Sequence, residues 1–198
     1  MSIALPADPA PTRADPAYLD WGGQLRPIFG GAIQKLNRLG DRFALNVVMP
    51  VMESADLGRV WVANLVLAQR QGAIMEFPQH SLDVGQPGAP VVDGADQSGS
   101  TLALRGFQPG YVVRVGQFFS LIVGGRRYLH MAAADVAADS DGRIALPIAP
   151  MLRVRPGNGV IAEFEQPMIE GWLDGDRFSW SLDTAMFVGL SFSIGEAK

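Results

Sequence analysis

Glycine and proline cut this chain into short apolar runs, and that punctuation restricts its possible folds more than any other feature. Twenty-three glycines and fourteen prolines among 198 residues are nearly a fifth of the chain, where about an eighth is usual. They stand between short apolar runs, a pattern that suits strands and turns and leaves room for few helices. "RFALNVVMPVM" (42–52) shows the pattern: Phe43, Leu45, Val47 and Met49 alternate onto one face, and Pro50 ends or edges the strand.

One segment breaks the alternation. In "SADLGRVWVANLVLAQRQG" (54–72), Leu57, Trp61, Leu65 and Ala68 recur at helical spacing, Ser54 is placed to cap and Gly72 to stop. Gly58 weakens the second turn without breaking it. "AIMEFPQ" follows at once as a strand, so the local unit is strand, helix, strand, with the helix laid over a sheet. Residues 81–100, "SLDVGQPGAPVVDGADQSGS", are poor in large apolar side chains and read as a long surface loop or an arm toward a neighbour.

The second half is a series of hairpins. Phe119, Leu121 and Val123 alternate, Gly124-Gly125 makes a two-residue turn, and Tyr128 and His130 return on the partner strand. "ADSDG" and "PGNG" turn the chain again. Ile144, Leu146 and Ile148 line a further strand, as do Phe178, Trp180 and Leu182, and then Leu190, Phe192 and Ile194. The fold class is mainly β: a β-barrel or sandwich with one helix packed on the outside. Residues 1–20, with four prolines, read as an extended N-terminal arm without the basic start and apolar core of a signal peptide. Residues 21–198 form the barrel domain, with 88–168 a candidate inserted β subdomain.

Several function classes find no support. The chain has no cysteine, which removes disulfides, thiolate metal sites and thiol nucleophiles. Its net charge of -4 and lack of any dense basic block argue against a dedicated nucleic-acid binder. No apolar run reaches the roughly 18 residues of a membrane span. Charged residues are 18%, against about 25% in typical soluble domains, as expected if other subunits cover part of the surface.

Individual candidates for chemistry have plainer explanations. His130 and His80 lack a paired nucleophile, a nucleophile elbow or a metal-ligand spacing, so both read as structural. "DSDG" (139–142) has two acids before its glycine and Ile148 where a calcium loop needs glutamate, so it reads as a turn. Glu163 and Glu165 share one strand face. As a glycosidase pair they would need a cleft and a sugar platform such as Trp172 and Trp180. Asp176 has no recognisable partner acid. Trp21, Trp172 and Trp180 are the aromatic residues open to a carbohydrate-binding role. No catalytic, metal or cofactor-binding residue is assigned, and no cofactor is expected.

The order of phrases carries a resemblance. "GDRFALNVVMPVM", the helix, "GAIMEFPQ", "VDGADQSGSTLALRGFQPG", "VGQFF", "GGRRYLHM", "DSDGRIALPIAPMLR" and "GLSFSIGEA" resemble, in that order, a family of distal tail proteins of long-tailed bacteriophages and prophages. The similarity spans most of residues 21–197. Gln117 departs from it, standing where the family has an acid, and the N-terminal arm has no counterpart. The resemblance implies a virion structural protein of the tail tip. It would be no enzyme, and would assemble as a hexameric ring that extends the tail tube and joins it to the hub and host-recognition apparatus. DNA would pass through the lumen unbound, a passage an acidic balance suits. A tail tube or tail joining protein, or a carbohydrate-binding β-sandwich at the tip, is the neighbouring alternative.

Overall fold

A computed structural model describes residues 2–197. The chain runs through β1 (Ile3–Ala4), β2 (Arg13–Leu19), β3 (Gly23–Leu25), β4 (Gln34–Leu36), β5 (Arg42–Val48), β6 (Met52–Glu53), α1 (Leu57–Gln71) and β7 (Ala73–Glu76). It continues with β8 (Gly88–Val92), β9 (Thr101–Phe107), β10 (Val112–Val113), β11 (Phe118–Val123), β12 (Arg126–Ala132), β13 (Val136–Ala137), β14 (Arg143–Ala149) and β15 (Ala162–Glu163). Three strands close it: β16 (Met168–Leu173), β17 (Trp180–Leu182) and β18 (Phe187–Glu196). The fold is mainly β, a nearly closed barrel sheet with one helix and a second sheet.

The barrel sheet is ordered β1-β7-β16-β18-β5-β2, and β18 is its spine. Ten residues long, β18 is flanked on one side by β16 and β17 and on the other by β5 and β6. Its alternation puts Val188, Leu190, Phe192 and Ile194 into the core opposite Leu45 and Val47 of β5. The segment read as an arm is extended but not free. Arg13–Leu19 pairs with β5 over seven residues, while Ile3 and Ala4 pair in parallel with β7 at the opposite edge of the sheet. Residues 5–12 therefore cross from one edge to the other. Pro16 is tolerated in β2 because that strand is an edge, where its missing N–H can face outward.

α1 covers this core with Gly58, Trp61, Leu65 and Ala68. Two sequence expectations change here. Ser54 does not cap the helix, because Asp56 holds the N-cap position and no side chain bonds there. Leu57 stays half-exposed, and Gly58 takes the buried slot because the first turn lies against β6 and β18. A Cβ on Gly58 would stand 2.8 Å from the Glu53 carbonyl and 3.0 Å from Val188 Cγ2. Trp61 is wholly buried and donates its indole N–H to Asp8 O at 3.2 Å, tying the crossing segment to the helix.

The second sheet, ordered β15-β11-β12-β14-β9-β8, is an excursion between two adjacent strands. β7 and β16 pair antiparallel with Met168 opposite Glu76, and Phe77 N donates to Pro167 O at 2.8 Å, so the neck is closed. Most of what lies between builds a separate core drawn from residues 92–164, with Phe119 stacked on Phe164. The expected loop at 81–100 is partly strand: β8 pairs with β9 and buries Val92, so only its flanks are irregular. Gly124 and Gly125 both have positive φ, as the two-residue turn between Val123 and Arg126 demands.

Candidate functional site

β12 is the wall between the two cores. Leu129 belongs to the barrel core, while Tyr128 and Ala132 belong to the second one. Ala132 N donates to Gln117 O on the β11 side, so the odd-numbered N–H groups of β12 point the other way. On that side β14 reaches only as far as Met131. Beyond it, Arg127 and Leu129 would be left with buried, unpaired donors.

Two carboxylates fill the gap. Glu170 Oε2 accepts from Arg127 N at 2.8 Å, and its Oε1 accepts from Ser2 Oγ at 2.7 Å. Glu196 Oε1 accepts from Leu129 N at 2.7 Å, and its Oε2 accepts from Phe43 N at 3.2 Å. Glu196 is 2% exposed and occupies the core-facing slot that follows Ile194 in the β18 alternation. Its charge is met by Arg153, whose guanidinium also lies over the Tyr128 ring at 5.4 Å. Burial pushes the Glu196 carboxyl up, opposed by Arg153 and the two N–H donors. One acid thus joins β5, β12, β18 and the segment after β14.

The residues singled out from sequence are dispersed. His130 is 1% exposed, stacks near Phe119 and places Nδ1 3.0 Å from Pro150 O. Burial, then the charge of Arg153, lowers its pKa to about 3. His80 is exposed at the start of the loop before β8. Asp139 Oδ1 accepts from the N–H groups of Asp141 and Arg143, so it closes its own turn. Glu163 holds Arg127 through two bonds of 2.9 and 3.1 Å and accepts from Ser120 Oγ, whereas Glu165 is exposed without such partners. Asp176 lies exposed in the loop between β16 and β17. Among the described residues, no group of three or more His, Asp or Glu could hold a metal ion. No helix among them is long and apolar enough to cross a membrane.

The tryptophans do not form one platform. Trp172 stands opposite Gly195 and Trp180 opposite Leu190. An odd offset along β18 puts them on opposite sheet faces, five residues or roughly 17 Å apart along the strand. Trp21 is covered by the Arg42 guanidinium at 5.1 Å. Trp172, about half exposed, borders a cleft of about 300 Å³ with Arg126, Tyr128 and Glu170.

Exposed apolar surface is concentrated elsewhere. β3 and β4 form an isolated ribbon outside both sheets, with Leu25, Ile28, Phe29, Ile33, Leu36 and Leu39 uncovered. Ile28 is 93% exposed and Phe29 99%. Leu182 and Met186, around the β17–β18 turn, are a second exposed pair. The ribbon was not apparent from sequence, although "LRPIFGGAI" without an acid is a signal: large apolar residues around a proline and a Gly-Gly pair. No protein-family model matches the sequence, and no curated protein matches it.

Proposed function

We propose that this protein is a structural component of the tail tip of a long-tailed bacteriophage or prophage, a distal tail protein. In this reading it forms a ring of identical copies, with six the expected number. The ring continues the tail tube and carries the hub and host-recognition parts, and DNA passes through it without specific binding. The observation that carries the reading is the apolar β3–β4 ribbon on a molecule whose buried acids Glu170 and Glu196 are committed to joining two cores. Apolar surface of that kind marks a place for another protein. The ordered series of sequence phrases from "GDRFALNVVMPVM" to "GLSFSIGEA", which resembles distal tail proteins, is what favours this assembly over others.

The test is compositional. Purified particles from a producing strain are analysed by mass spectrometry for this polypeptide at a stoichiometry of several copies per tail. A particle that lacks it removes the proposal. The exposed ring of Trp172 beside Arg126 favours one second reading, glycan contact at the tip. Glycan-array binding that disappears in Trp172→Ala tests that reading, and binding unaffected by the change removes it.

A further inference from the structure

We propose that the β3–β4 ribbon is a docking arm. Its Ile28–Phe29 tip seats in an apolar groove of a neighbouring copy, formed between the crossing segment and β7. The inference rests on the ring reading and names the contact that builds the ring.

The knob is unsupported in its own chain. A two-stranded ribbon standing alone is marginal in water, and this one exposes six large apolar side chains with no core beneath them. The groove is present on the same molecule. About 310 Å³ in volume, it is lined by Leu5, Ala14, Leu45, Met75 and Met168, with Glu76 on its rim. That volume is at the lower end for cavities that hold a ligand, enough for a small apolar anchor.

The two features do not meet within one copy, since the tip is almost fully exposed. The ribbon leaves the barrel at the Leu19/Arg42 end of β2 and β5, and Ala14 lies five residues back along β2, roughly 17 Å away.

Charge points to the same occupant. Residues 21–40 contain Arg26, Lys35 and Arg38 and no acid. Lys35 is held by Asp20 at 2.9 Å, while Arg26 and Arg38 have no carboxylate partner among the described residues. The groove is lined by no lysine or arginine. It carries Glu76, and the exposed Asp8 belongs to the segment that walls it. Nearby Arg13 is already paired with Asp15. A basic apolar knob and an acidic-rimmed apolar groove at different places on one chain make a head-to-tail contact, the kind that closes into rings.

A photoreactive benzoylphenylalanine is placed at Phe29, and the full-length protein is mixed with a nitrogen-15-labelled copy. Cross-linked peptides are mapped while assembly is followed by native mass spectrometry. The expected result is cross-links between light and heavy chains joining position 29 to residues 4–14, 74–80 or 166–168. The double variant Ile28→Ser, Phe29→Ser should weaken self-association at least tenfold with an unchanged melting temperature, because these side chains are almost fully exposed in the single copy. Assemblies whose tip cross-links elsewhere, or that survive the double variant, overturn the inference and leave the ring reading standing. Failure to cross-link or assemble at the highest soluble concentration also overturns it. The ring reading is then decided on the particle alone.

Discussion

Glu196 and Arg153 meet in the seam between the two cores, where each is almost wholly removed from water. Their pairing is what lets the second sheet sit on the barrel. The Glu196 carboxylate replaces the strand that β12 lacks beyond β14, and Arg153 neutralises the charge this requires.

Removing one partner should therefore be costly. Arg153→Met leaves a buried carboxylate without its counter-ion and is expected to lose about 3–5 kcal/mol in urea unfolding. In the variant burial is opposed only by the Leu129 and Phe43 N–H donors, so the folded-state pKa of Glu196 stands further above the unfolded one than in the parent. The folded state then holds a proton that the unfolded state releases, and stability falls as pH rises through that window. The deficit against the parent should be smaller near about pH 5 than near about pH 7.5. Equal deficits would mean that the ion pair is not what the seam depends on.

His130 sets a second pH dependence with a defined sign. Its pKa falls from 6.5 unfolded to about 3 folded, because burial disfavours the imidazolium. Below pH 6.5 the unfolded chain binds a proton that the folded chain refuses. Stability contributed by the neutral ring is thus complete above that pH and is lost as pH falls toward 3, by about 1.4 kcal/mol per unit. His130→Asn keeps a donor for Pro150 O and cannot titrate. Its unfolding free energy, measured from about pH 7.5 to about 4.5, should lack that slope. An identical slope in both proteins contradicts the assignment.

Two neighbouring glycines should respond in opposite ways. A Cβ on Gly171 would collide with Gly195 O, while one on Gly195 meets nothing within 4 Å. Gly171→Ala is expected to cost about 4 kcal/mol or more, or to prevent folding. Gly195→Ala should remain within about 1 kcal/mol of the parent by the same thermal melt. Comparable losses would show that β16 and β18 are not this close.

Gln117 tests the point at which the chain departs from the tail-protein pattern. Its amide N–H donates to Tyr111 Oη at 3.0 Å, its Oε1 accepts from Arg114 N at 3.1 Å, and Tyr111 in turn donates to Val84 O. A carboxylate has nothing to give the tyrosine oxygen. Gln117→Glu should cost about 1–3 kcal/mol at neutral pH, recovering partly as the acid protonates on lowering the pH. A neutral effect would mean that this network rearranges freely.

Much of the fold was legible because alternation and turn chemistry act locally. Phe43, Leu45 and Val47, then Leu190, Phe192 and Ile194, lie inward as their spacing demands, and Gly124-Gly125 turns where expected. Features decided by contacts distant in sequence were not legible. Leu57 yields its place to Gly58 because β18 approaches there, and residues 13–19 become a strand because β5 has an unpaired edge. Glu196 was the recoverable omission. The alternation that places Ile194 inward also places Glu196 inward, and an acid in an apolar slot is a signal that a buried partner exists. Arg153 could not be named from sequence, since 43 residues separate it from that acid.

The most direct measurement is a cryo-electron-microscopy map of the tail of purified particles from a producing strain. The account predicts a closed ring of copies at the distal end of the tube, each β3–β4 ribbon reaching the next subunit. A tail tip built without this polypeptide, or copies present as isolated monomers away from the tube axis, would contradict it.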